Sequence, residues 1–214
     1  MKNINTYLEH TILKQGLSEY NISNNFEVCT AFDIPTFVIP PSFVKYASSL
    51  RADSAVLICT VIGFPLGYST LKTKLFEISD AIENGADEID LVIDNSLVKD
   101  NNWSRLGKEL ADYRKICEGR ILKIIVETSL LSRSELDRIA QCLIDNRIDY
   151  IKTSTGMVGD GAKLDDVKFL KDYYGDSIKI KASGGIKTKE QAIDFIKAGA
   201  DRIGTSSAKQ ILEN

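Results

Sequence analysis

The sequence is poor in the residues that build metal sites and disulfide frameworks. It has one histidine and four cysteines in 214 residues. The cysteines, Cys29, Cys59, Cys117 and Cys142, have no CxxC spacing and no matching histidine cluster, so neither a zinc site nor a set of disulfides is indicated. We therefore expect four free thiols that pack as small hydrophobic side chains, and no metal ion.

Long apolar runs and clustered positive charge are also missing. The chain has no stretch of about 18 apolar residues, and its first ten residues, MKNINTYLEH, lack the apolar core of a signal peptide. The formal net charge is −3, and no basic stripe is present of the kind that nucleic acid or an anionic membrane requires. These absences favour a cytoplasmic protein that binds neither nucleic acid nor membranes.

The low proline content and the lack of a linker indicate one domain. Only four prolines occur, and no Pro/Gly/Ser-rich tract or block of like charges divides the chain. With 43% hydrophobic residues, a chain of this length can bury one large core. We expect a single domain over residues 1–214.

Short β-branched segments recur along the chain and alternate with helical patterns. Ser132 and Glu135 form a predicted capping box at one helix start, and Thr188 and Gln191 form another. The eight strand-like segments are LEHTILK, IPTFVIP, AVLICTVIGFP, EIDLVID, LKIIVET, DYIKTS, SIKIKAS and DRIGTS. Repeated strand–helix units of this kind predict a parallel sheet.

The alternation of side chains within the strands favours a closed barrel over an open sheet. Helices on both faces of an open sheet require apolar residues on both faces of its strands. In EIDLVID, however, Ile89 and Leu91 share one face, whereas Glu88 and Asp90 share the other. We therefore predict an α/β fold of the (β/α)8 TIM-barrel type, in which the polar face of each strand points inward.

The same alternation directs charged side chains from four neighbouring strands into the barrel: Asp90, Lys123, Glu127, Lys152 and Lys181. Opposite charges must meet there, because an unpaired buried charge is costly. We expect Lys123 and Glu127 to form a structural ion pair beneath the site.

Two other residues near these segments are expected to be structural. Lys179 lies near a strand start, from which its ammonium group can reach the opposite rim of the barrel. His10, the only histidine, alternates away from Glu9 and Thr11, so packing is favoured over acid–base chemistry.

Lys152 and Lys181 each lie near the end of a strand that leads into a loop rich in Ser, Thr and Gly. An ordinary lysine, with a pKa near ~10.4, is almost wholly protonated at neutral pH and is a poor nucleophile. Two ammonium groups roughly 6 Å apart repel by about 3 kcal/mol at an effective dielectric of ~20, which lowers a lysine pKa by about two units. A lysine brought toward neutrality can attack a carbonyl and form an imine. The pair therefore predicts Schiff-base catalysis, with two solvated lysines as the alternative.

Seven ordered segments resemble deoxyribose-phosphate aldolase, a family of class I aldolases with a (β/α)8 barrel. The segments are EHTILK, CTVIGFPLG, GADEIDLVID, KIIVET, YIKTSTG, KASGGIKT and DRIGTSSA. They span nearly the whole chain. The resemblance implies a homo-oligomeric lyase that needs no cofactor and binds a phosphosugar and an aldehyde.

The resemblance also implies roles for individual residues. Lys152 matches the Schiff-base lysine, Lys181 the second lysine that perturbs it and moves protons, and Asp90 the aspartate that relays protons through water. Glu9 and Thr11 match polar groups near the substrate hydroxyls. Lys123 and Glu127 are expected to support the site through the ion pair described above, independently of the resemblance. The remaining substrate-binding residues are expected in the phosphate-binding loops: Thr155, Gly156, Gly184, Gly185, Gly204, Ser206 and Ser207.

The implied reaction is the reversible cleavage of 2-deoxy-D-ribose 5-phosphate to D-glyceraldehyde 3-phosphate and acetaldehyde. The two-carbon fragment is then held as an enamine on Lys152, and an iminium can accept the electrons of the broken bond without a metal. Two other functions stay open at this point. One is a Schiff-base aldolase for another phosphosugar, and the other is a noncatalytic sugar-phosphate-binding paralogue.

The second strand departs from the family, because IPTFVIP stands in place of a segment resembling VCVNP. Phe37 takes the cysteine position and Ile39 takes that of the asparagine. We expect a drier and narrower pocket with an altered preference for the acceptor aldehyde. The sequence also ends in QILEN, without the tail and terminal tyrosine of some relatives, which predicts weaker substrate protonation.

Overall fold

The computed structural model describes residues 3–52 and 54–213, and a closed barrel of parallel strands forms its centre. The strands are β1 (Leu8–Thr11), β2 (Thr36–Ile39), β3 (Leu57–Ile62), β4 (Glu88–Val92), β5 (Ile121–Ile125), β6 (Tyr150–Lys152), β7 (Lys179–Ser183) and β8 (Arg202–Thr205). Each strand pairs with the next along the chain, and β8 pairs with β1. The predicted (β/α)8 barrel is confirmed. Seven of the eight predicted segments contain a whole strand, and β5 begins one residue before its segment, at Ile121.

Helices surround the barrel. They are α1 (Glu19–Ala31), α2 (Val44–Ser49), α3 (Leu71–Glu83), α4 (Asn95–Lys99), α5 (Trp103–Ile116), α6 (Arg133–Asp145), α7 (Leu164–Tyr174), α8 (Lys189–Lys197) and α9 (Ala208–Glu213). Short 3-10 turns lie at Ile4–Tyr7, Pro41–Phe43 and Thr128–Leu130. In residues 3–52 and 54–213, no helix combines the length and apolarity that crossing a membrane requires.

The helix starts follow from local sequence. Ser132 caps α6 by accepting a hydrogen bond from the backbone of Glu135, whose side chain returns to the Ser132 backbone. Thr188 and Gln191 form the same reciprocal pair at the start of α8, so both predicted capping boxes are confirmed. Such caps satisfy backbone N–H groups that have no partner within the helix.

The main hydrophobic core lies between the barrel and its helices. Ile89 and Leu91 of β4 are fully buried in it, together with Leu136, Ile139 and Leu143 on one face of α6. Burying each such side chain stabilises the fold by about 1.5–3 kcal/mol. A smaller apolar cluster of Val38, Cys59 and Val61 lies on the opposite, inward face of β2 and β3.

Phe37 and Ile39 on β2 belong to the outer core and face away from the barrel interior. The Phe37 ring stacks on His10 with 5.9 Å between ring centroids and meets Phe26 of α1 edge-on at 6.2 Å. The expected narrowing of the pocket by Phe37 and Ile39 is therefore wrong, because the inward positions of β2 are Thr36 and Val38.

His10 packs as predicted. Its ring is buried, and its Nε2 lies 2.7 Å from Oδ1 of Asn25 on α1. Burial lowers the pKa of His10, although the contact with Asn25 opposes that shift. The imidazole is therefore part of the contact between β1 and α1.

Candidate active site

Charged side chains occupy the interior of the barrel. They are Glu9 on β1, Glu88 and Asp90 on β4, Lys123 on β5, Lys152 on β6, Lys181 on β7 and Arg202 on β8. We call these seven residues the charged cluster. Inward alternation on neighbouring strands brings them together, and Lys152 and Lys181 are direct register partners on β6 and β7.

Asp90 is the centre of the charged cluster. Its Oδ2 accepts hydrogen bonds from Lys152 at 2.7 Å and from Lys181 at 2.6 Å. Its Oδ1 accepts from Lys123 at 3.0 Å and from the Cys59 thiol at 3.3 Å. Burial alone would raise the pKa of Asp90, but the surrounding lysines outweigh burial and hold that pKa well below its ordinary value.

The two lysines that donate to Asp90 differ in their electrostatics. Burial is the largest influence on Lys152 and lowers its pKa; Asp90 opposes that shift and Lys181 adds to it. Burial also acts to lower the pKa of Lys181, but Asp90 and Glu9 outweigh it and raise that pKa. The depressed pKa expected for Lys152 is thus present, with desolvation as a stronger cause than repulsion between the lysines.

Glu9 lies behind Lys181. It is fully buried, its Oε2 accepts a hydrogen bond from Lys181, and its Oε1 lies 2.9 Å from Arg202 Nη1. Burial would raise the pKa of Glu9, but Lys123 and Lys181 lower it to about 2. The residue was expected near the substrate hydroxyls, and the structure places it instead within the charged cluster. Thr11, two residues further along β1, does line the cavity described below.

Lys123 and Glu127 are separated, and the ion pair expected between them is wrong. The Lys123 ammonium contacts Glu88 at 2.5 Å, Asp90 at 3.0 Å and Glu9 at 3.5 Å. β5 ends at Ile125, and Glu127 then adopts a left-handed backbone with φ 54°. Strand alternation no longer applies at that point, so the Glu127 side chain turns toward the loop after β6.

Glu127 organises that loop through Thr155. Its Oε2 accepts hydrogen bonds from the Thr155 backbone at 3.0 Å and from the Thr155 hydroxyl at 2.7 Å. The same hydroxyl accepts from the backbone N–H groups of Met157 at 3.1 Å and Val158 at 3.2 Å. Because its proton and both lone pairs are engaged, the Thr155 hydroxyl holds the loop together rather than being free for a ligand.

A cavity of about 740 Å³ lies at the carboxyl ends of the strands, above the charged cluster. It brings together nine of the predicted site residues: Thr11, Lys152, Thr155, Gly156, Gly184, Gly185, Gly204, Ser206 and Ser207. Asp90, Lys181, Glu9 and Lys123 are buried beneath it. Of the lysines in the charged cluster, Lys152 is the one whose side chain reaches the cavity wall.

Close backbone contacts between two loops shape the cavity wall. A Cβ on Gly184, which has φ 92°, would lie 2.8 Å from Cα of Gly161 and 3.3 Å from Cα of Gly156. The loop after β6 therefore packs directly on the turn after β7, and the Ala162 N–H donates to the Gly184 carbonyl at 3.1 Å. Only glycine permits this close approach. As a result, the backbone of Gly156 and Gly184 lines the cavity.

Several residues of the site were missed by sequence reasoning. Arg202 was not assigned, although it shares inward parity with Gly204 on β8, and Glu88 was noted only for its polar strand face. Lys14, Lys187 and Lys209 line the cavity from loops and from α9. Their convergence depends on the closed barrel and has no periodic signal in the sequence.

One group of ligand-type atoms lies inside the charged cluster. Atoms of Glu9, Cys59 and Glu88 lie within 4.8 Å of one another. The Lys123 ammonium lies 2.5 Å from Glu88, 3.4 Å from Cys59 and 3.5 Å from Glu9. The ammonium group of Lys123 thus supplies the positive charge that a metal ion would otherwise bring to this group of side chains.

Comparison with known proteins places this geometry in a family. Residues 10–213 match the family described as DeoC/LacD family aldolase. The chain belongs to this aldolase family. A deoxyribose-phosphate aldolase from Clostridioides difficile is 44% identical over 214 residues, which cover 100% of this chain and 97% of that protein. One from Ureaplasma parvum is 44% identical, with 100% of both chains covered.

Solved structures agree with the assignment. An aldolase named QR15 has a TM-score of 0.95 and 37% identity, covering 100% of this chain and 96% of that one. The tetrameric deoxyribose phosphate aldolase from Aeropyrum pernix has a TM-score of 0.92 and 30% identity, with 98% and 89% covered. The resemblance seen in the sequence is confirmed, and the chain is a class I aldolase and hence a lyase.

Proposed function

We propose that this family member reversibly cleaves 2-deoxy-D-ribose 5-phosphate to D-glyceraldehyde 3-phosphate and acetaldehyde through an imine on Lys152. The observation that carries the proposal is the position of Lys152. Its amine borders the cavity, contacts Asp90 at 2.7 Å and has a pKa lowered first by burial. A neutral amine at a cavity wall, beside a proton-relaying carboxylate, is what imine formation requires.

In the first stage, the Lys152 nitrogen attacks the aldehyde carbon of the open-chain sugar and forms a carbinolamine. Loss of water gives a protonated imine. When the proton of the C3 hydroxyl is removed, the electrons of the C2–C3 bond move toward the iminium nitrogen. Glyceraldehyde 3-phosphate leaves, and a two-carbon enamine stays on Lys152. Protonation of the enamine carbon and hydrolysis by water then release acetaldehyde and restore the free amine.

Asp90 and Lys181 are proposed to relay the protons. Asp90 stays ionised because three lysines surround it, so its carboxylate can accept a proton transiently from the carbinolamine and return it. Lys181 stays protonated because Asp90 and Glu9 raise its pKa. Lys181 can therefore act as the acid that supplies a proton to Asp90. The two groups share a hydrogen bond of 2.6 Å.

The phosphate group is proposed to bind at the glycine-rich side of the cavity. Gly156, Gly184 and Gly185 there have positive φ angles of 74°, 92° and 82°, and Gly204, Ser206 and Ser207 border the same space. Successive backbone N–H groups in such turns form anion-binding concavities. Lys187 and Lys209 at the cavity mouth add positive charge, which a chain with net charge −3 does not supply overall.

The proposal also includes the number of domains, the oligomeric state and the location of the protein. We infer one domain, because the first and last strands pair in the same barrel. A homo-oligomer is supported by the tetrameric structure of the relative from Aeropyrum pernix. The composition supports a cytoplasmic location. It also supports a protein that binds neither nucleic acid nor membranes.

Borohydride trapping tests the proposal. Enzyme incubated with acetaldehyde, or with 2-deoxyribose 5-phosphate, is reduced with borohydride and digested, and the peptides are weighed. We expect the Lys152 peptide to carry one ethyl group in place of an amine hydrogen, a net gain of C2H4, with parallel loss of activity. Lys152→Ala should show no adduct.

Lys179→Ala is the matched control, because Lys179 lies on the next strand but is exposed at the opposite rim. It should label and turn over like the wild type. Binding of the sugar phosphate by folded protein without any adduct would reject the aldolase and favour the noncatalytic binder. An adduct that forms only with a different phosphosugar would favour the other Schiff-base aldolase.

A further inference from the structure

Arg202 lies at the end of the charged cluster that is opposite the cavity. It begins β8, and its Nη1 contacts Glu9 at 2.9 Å and both oxygens of Glu88, at 3.0 Å and 2.7 Å. Its guanidinium carbon lies 4.9 Å from the centre of the Tyr150 ring. The side chain is 17% exposed, which places it at the amino-terminal end of the barrel, opposite the cavity.

Hydrogen bonds connect Arg202 to Lys152 through the barrel. Glu9 joins Arg202 to Lys181, and Glu88 joins Arg202 to Lys123. Both lysines then donate to Asp90, whose Oδ2 also accepts from Lys152. Each of these contacts joins opposite charges. The two contacts of Arg202 are partly buried, and the contacts among the other members are buried.

The charged cluster contains four cationic and three anionic side chains. The cations are Lys123, Lys152, Lys181 and Arg202, and the anions are Glu9, Glu88 and Asp90. In a region of low dielectric the balanced state is strongly preferred, so one cation must give up its proton. Arginine does not deprotonate in proteins, and Lys123 and Lys181 each contact two or more carboxylates. Lys152 contacts one carboxylate, Asp90.

We propose that Arg202 is a positioning residue that keeps Lys152 unprotonated by completing the charge balance of the cluster from the opposite end of the barrel. Without its charge, three lysines would face three carboxylates. The balanced state would then be the one in which Lys152 carries a proton and cannot attack a carbonyl. This inference rests on the proposed Lys152 nucleophile.

Other groups near Lys152 are accounted for. The titratable or charged residues on the surrounding elements are Glu9 on β1, Cys59 on β3, Glu88 and Asp90 on β4, Lys123 on β5, Tyr150 on β6, Lys181 on β7, Arg202 on β8, Glu127 after β5, and His10, Lys14, Lys187 and Lys209 at the cavity. The inward residues of β2, Thr36 and Val38, carry no charge. Burial raises the pKa of the Cys59 thiol, which therefore stays neutral in the count.

The test compares four variants by the acid limb of the pH profile of kcat/KM, which reports the free enzyme. Arg202→Met should move the acid limb upward by about one pH unit, and Glu88→Gln should move it downward. The double variant, Arg202→Met with Glu88→Gln, removes one positive and one negative charge. Its acid limb should therefore return toward that of the wild type. Arg202→Lys keeps the charge and should keep the profile.

The pH dependence of borohydride trapping with acetaldehyde gives a second readout that does not depend on phosphate binding. It should shift in the same directions. Single variants that shift the limb in the same direction, or leave it in place, would overturn the inference and leave Arg202 a purely structural residue.

If Arg202→Met does not fold, Glu88→Gln with Arg202 intact still tests the charge count, since an unmoved or raised limb would contradict it. Failure of the proposed function is separate. In that case the wild type itself would form no Lys152 adduct at any pH.

Discussion

Nζ of Lys152 lies 2.7 Å from Oδ2 of Asp90, and this contact joins the solvent-facing cavity to the buried charged cluster. The contact has two opposing effects. The carboxylate orients the amine and favours its protonated form, whereas burial, the larger influence, favours the neutral form. The same Oδ2 is bonded to Lys181, so a proton given up by Lys152 has a defined acceptor and a nearby source of replacement.

Asp90→Asn is expected to retain the shape of the site and remove its proton relay. An amide cannot take the proton from the carbinolamine, so kcat should fall by about 10²–10⁴-fold, the range of general acid–base catalysis. Steady-state kinetics and the rate of borohydride trapping measure the effect. Asp112→Asn, an exposed change on α5, is the control and should be neutral. Activity of Asp90→Asn close to that of the wild type would exclude the relay.

Thr155→Val removes the hydroxyl that joins Glu127 to the backbone of Met157 and Val158. The bond to Glu127 is buried and the other two are partly buried. Leaving a buried group without its partner costs about 1–3 kcal/mol, so the loop after β6 should loosen. Because this loop packs on Gly184, we expect KM for the phosphosugar to rise about tenfold.

Trapping of acetaldehyde by the same variant should change little, because acetaldehyde has no phosphate. Thr155→Ser keeps the hydroxyl and should restore most of the loss in KM. An equal loss with both substrates would instead place the Thr155 hydroxyl in the chemical step.

The lowered pKa of Glu9 should make the stability of the protein depend on pH in the acid range. Its pKa is lowered from 4.5 to about 2 on folding, so the folded state binds its proton more weakly than the unfolded state. The stabilisation is therefore complete above about pH 4.5 and is lost as the pH falls toward 2. Its size is on the order of 3 kcal/mol, from about 1.36 kcal/mol per pKa unit.

Urea unfolding of the wild type and Glu9→Gln between pH 7 and pH 3 measures this contribution. The difference in unfolding free energy should be largest at pH 7 and shrink below pH 4.5. Glu118→Gln, at an exposed position, should parallel the wild type throughout. A constant difference at all pH values would show that the Glu9 carboxylate does not titrate with folding.

Strand alternation predicted the fold and much of the site because it is a local property. Within β4, the period of two placed Ile89 and Leu91 in the outer core and Asp90 inside the barrel, as found. It gave the wrong partner for Lys123, Glu127, because partners are set by register across the barrel: Glu88 is one strand away and Glu9 lies across the interior.

The wrong predictions concern residues beyond a strand end, or strands in which the inward and outward positions were not assigned. Glu127 was assigned the parity of Lys123, but its left-handed backbone, φ 54°, comes after the end of β5. Phe37 was read by its match to a family position, although the alternation of β2 with Thr36 and Val38 inside already directs it outward. Arg202 required the closed barrel, because its two carboxylate partners are far from it in sequence.

The backbone of Gly204 lies close to the side chain of Lys181. A Cβ at this position would lie 3.1 Å from Cε of Lys181 and 3.0 Å from Cβ of Ser183, both tighter than ordinary contacts. Its backbone is not in the left-handed region, so Gly204→Ala adds a methyl group without backbone strain. The methyl group should displace Lys181 from Asp90, and a misplacement of about 1 Å can cost 10²-fold in rate.

We therefore expect Gly204→Ala to lower kcat by about 10–100-fold and to shift KM for the phosphosugar less. Gly107→Ala on α5 is the matched control, because its new Cβ meets only ordinary contacts at 3.8 Å and 3.9 Å. That change should stabilise the protein by about 0.5–1 kcal/mol and leave turnover unchanged. If Gly204→Ala raises KM and spares kcat, the methyl group obstructs phosphate instead, and Lys181 tolerates the contact by moving along its flexible chain.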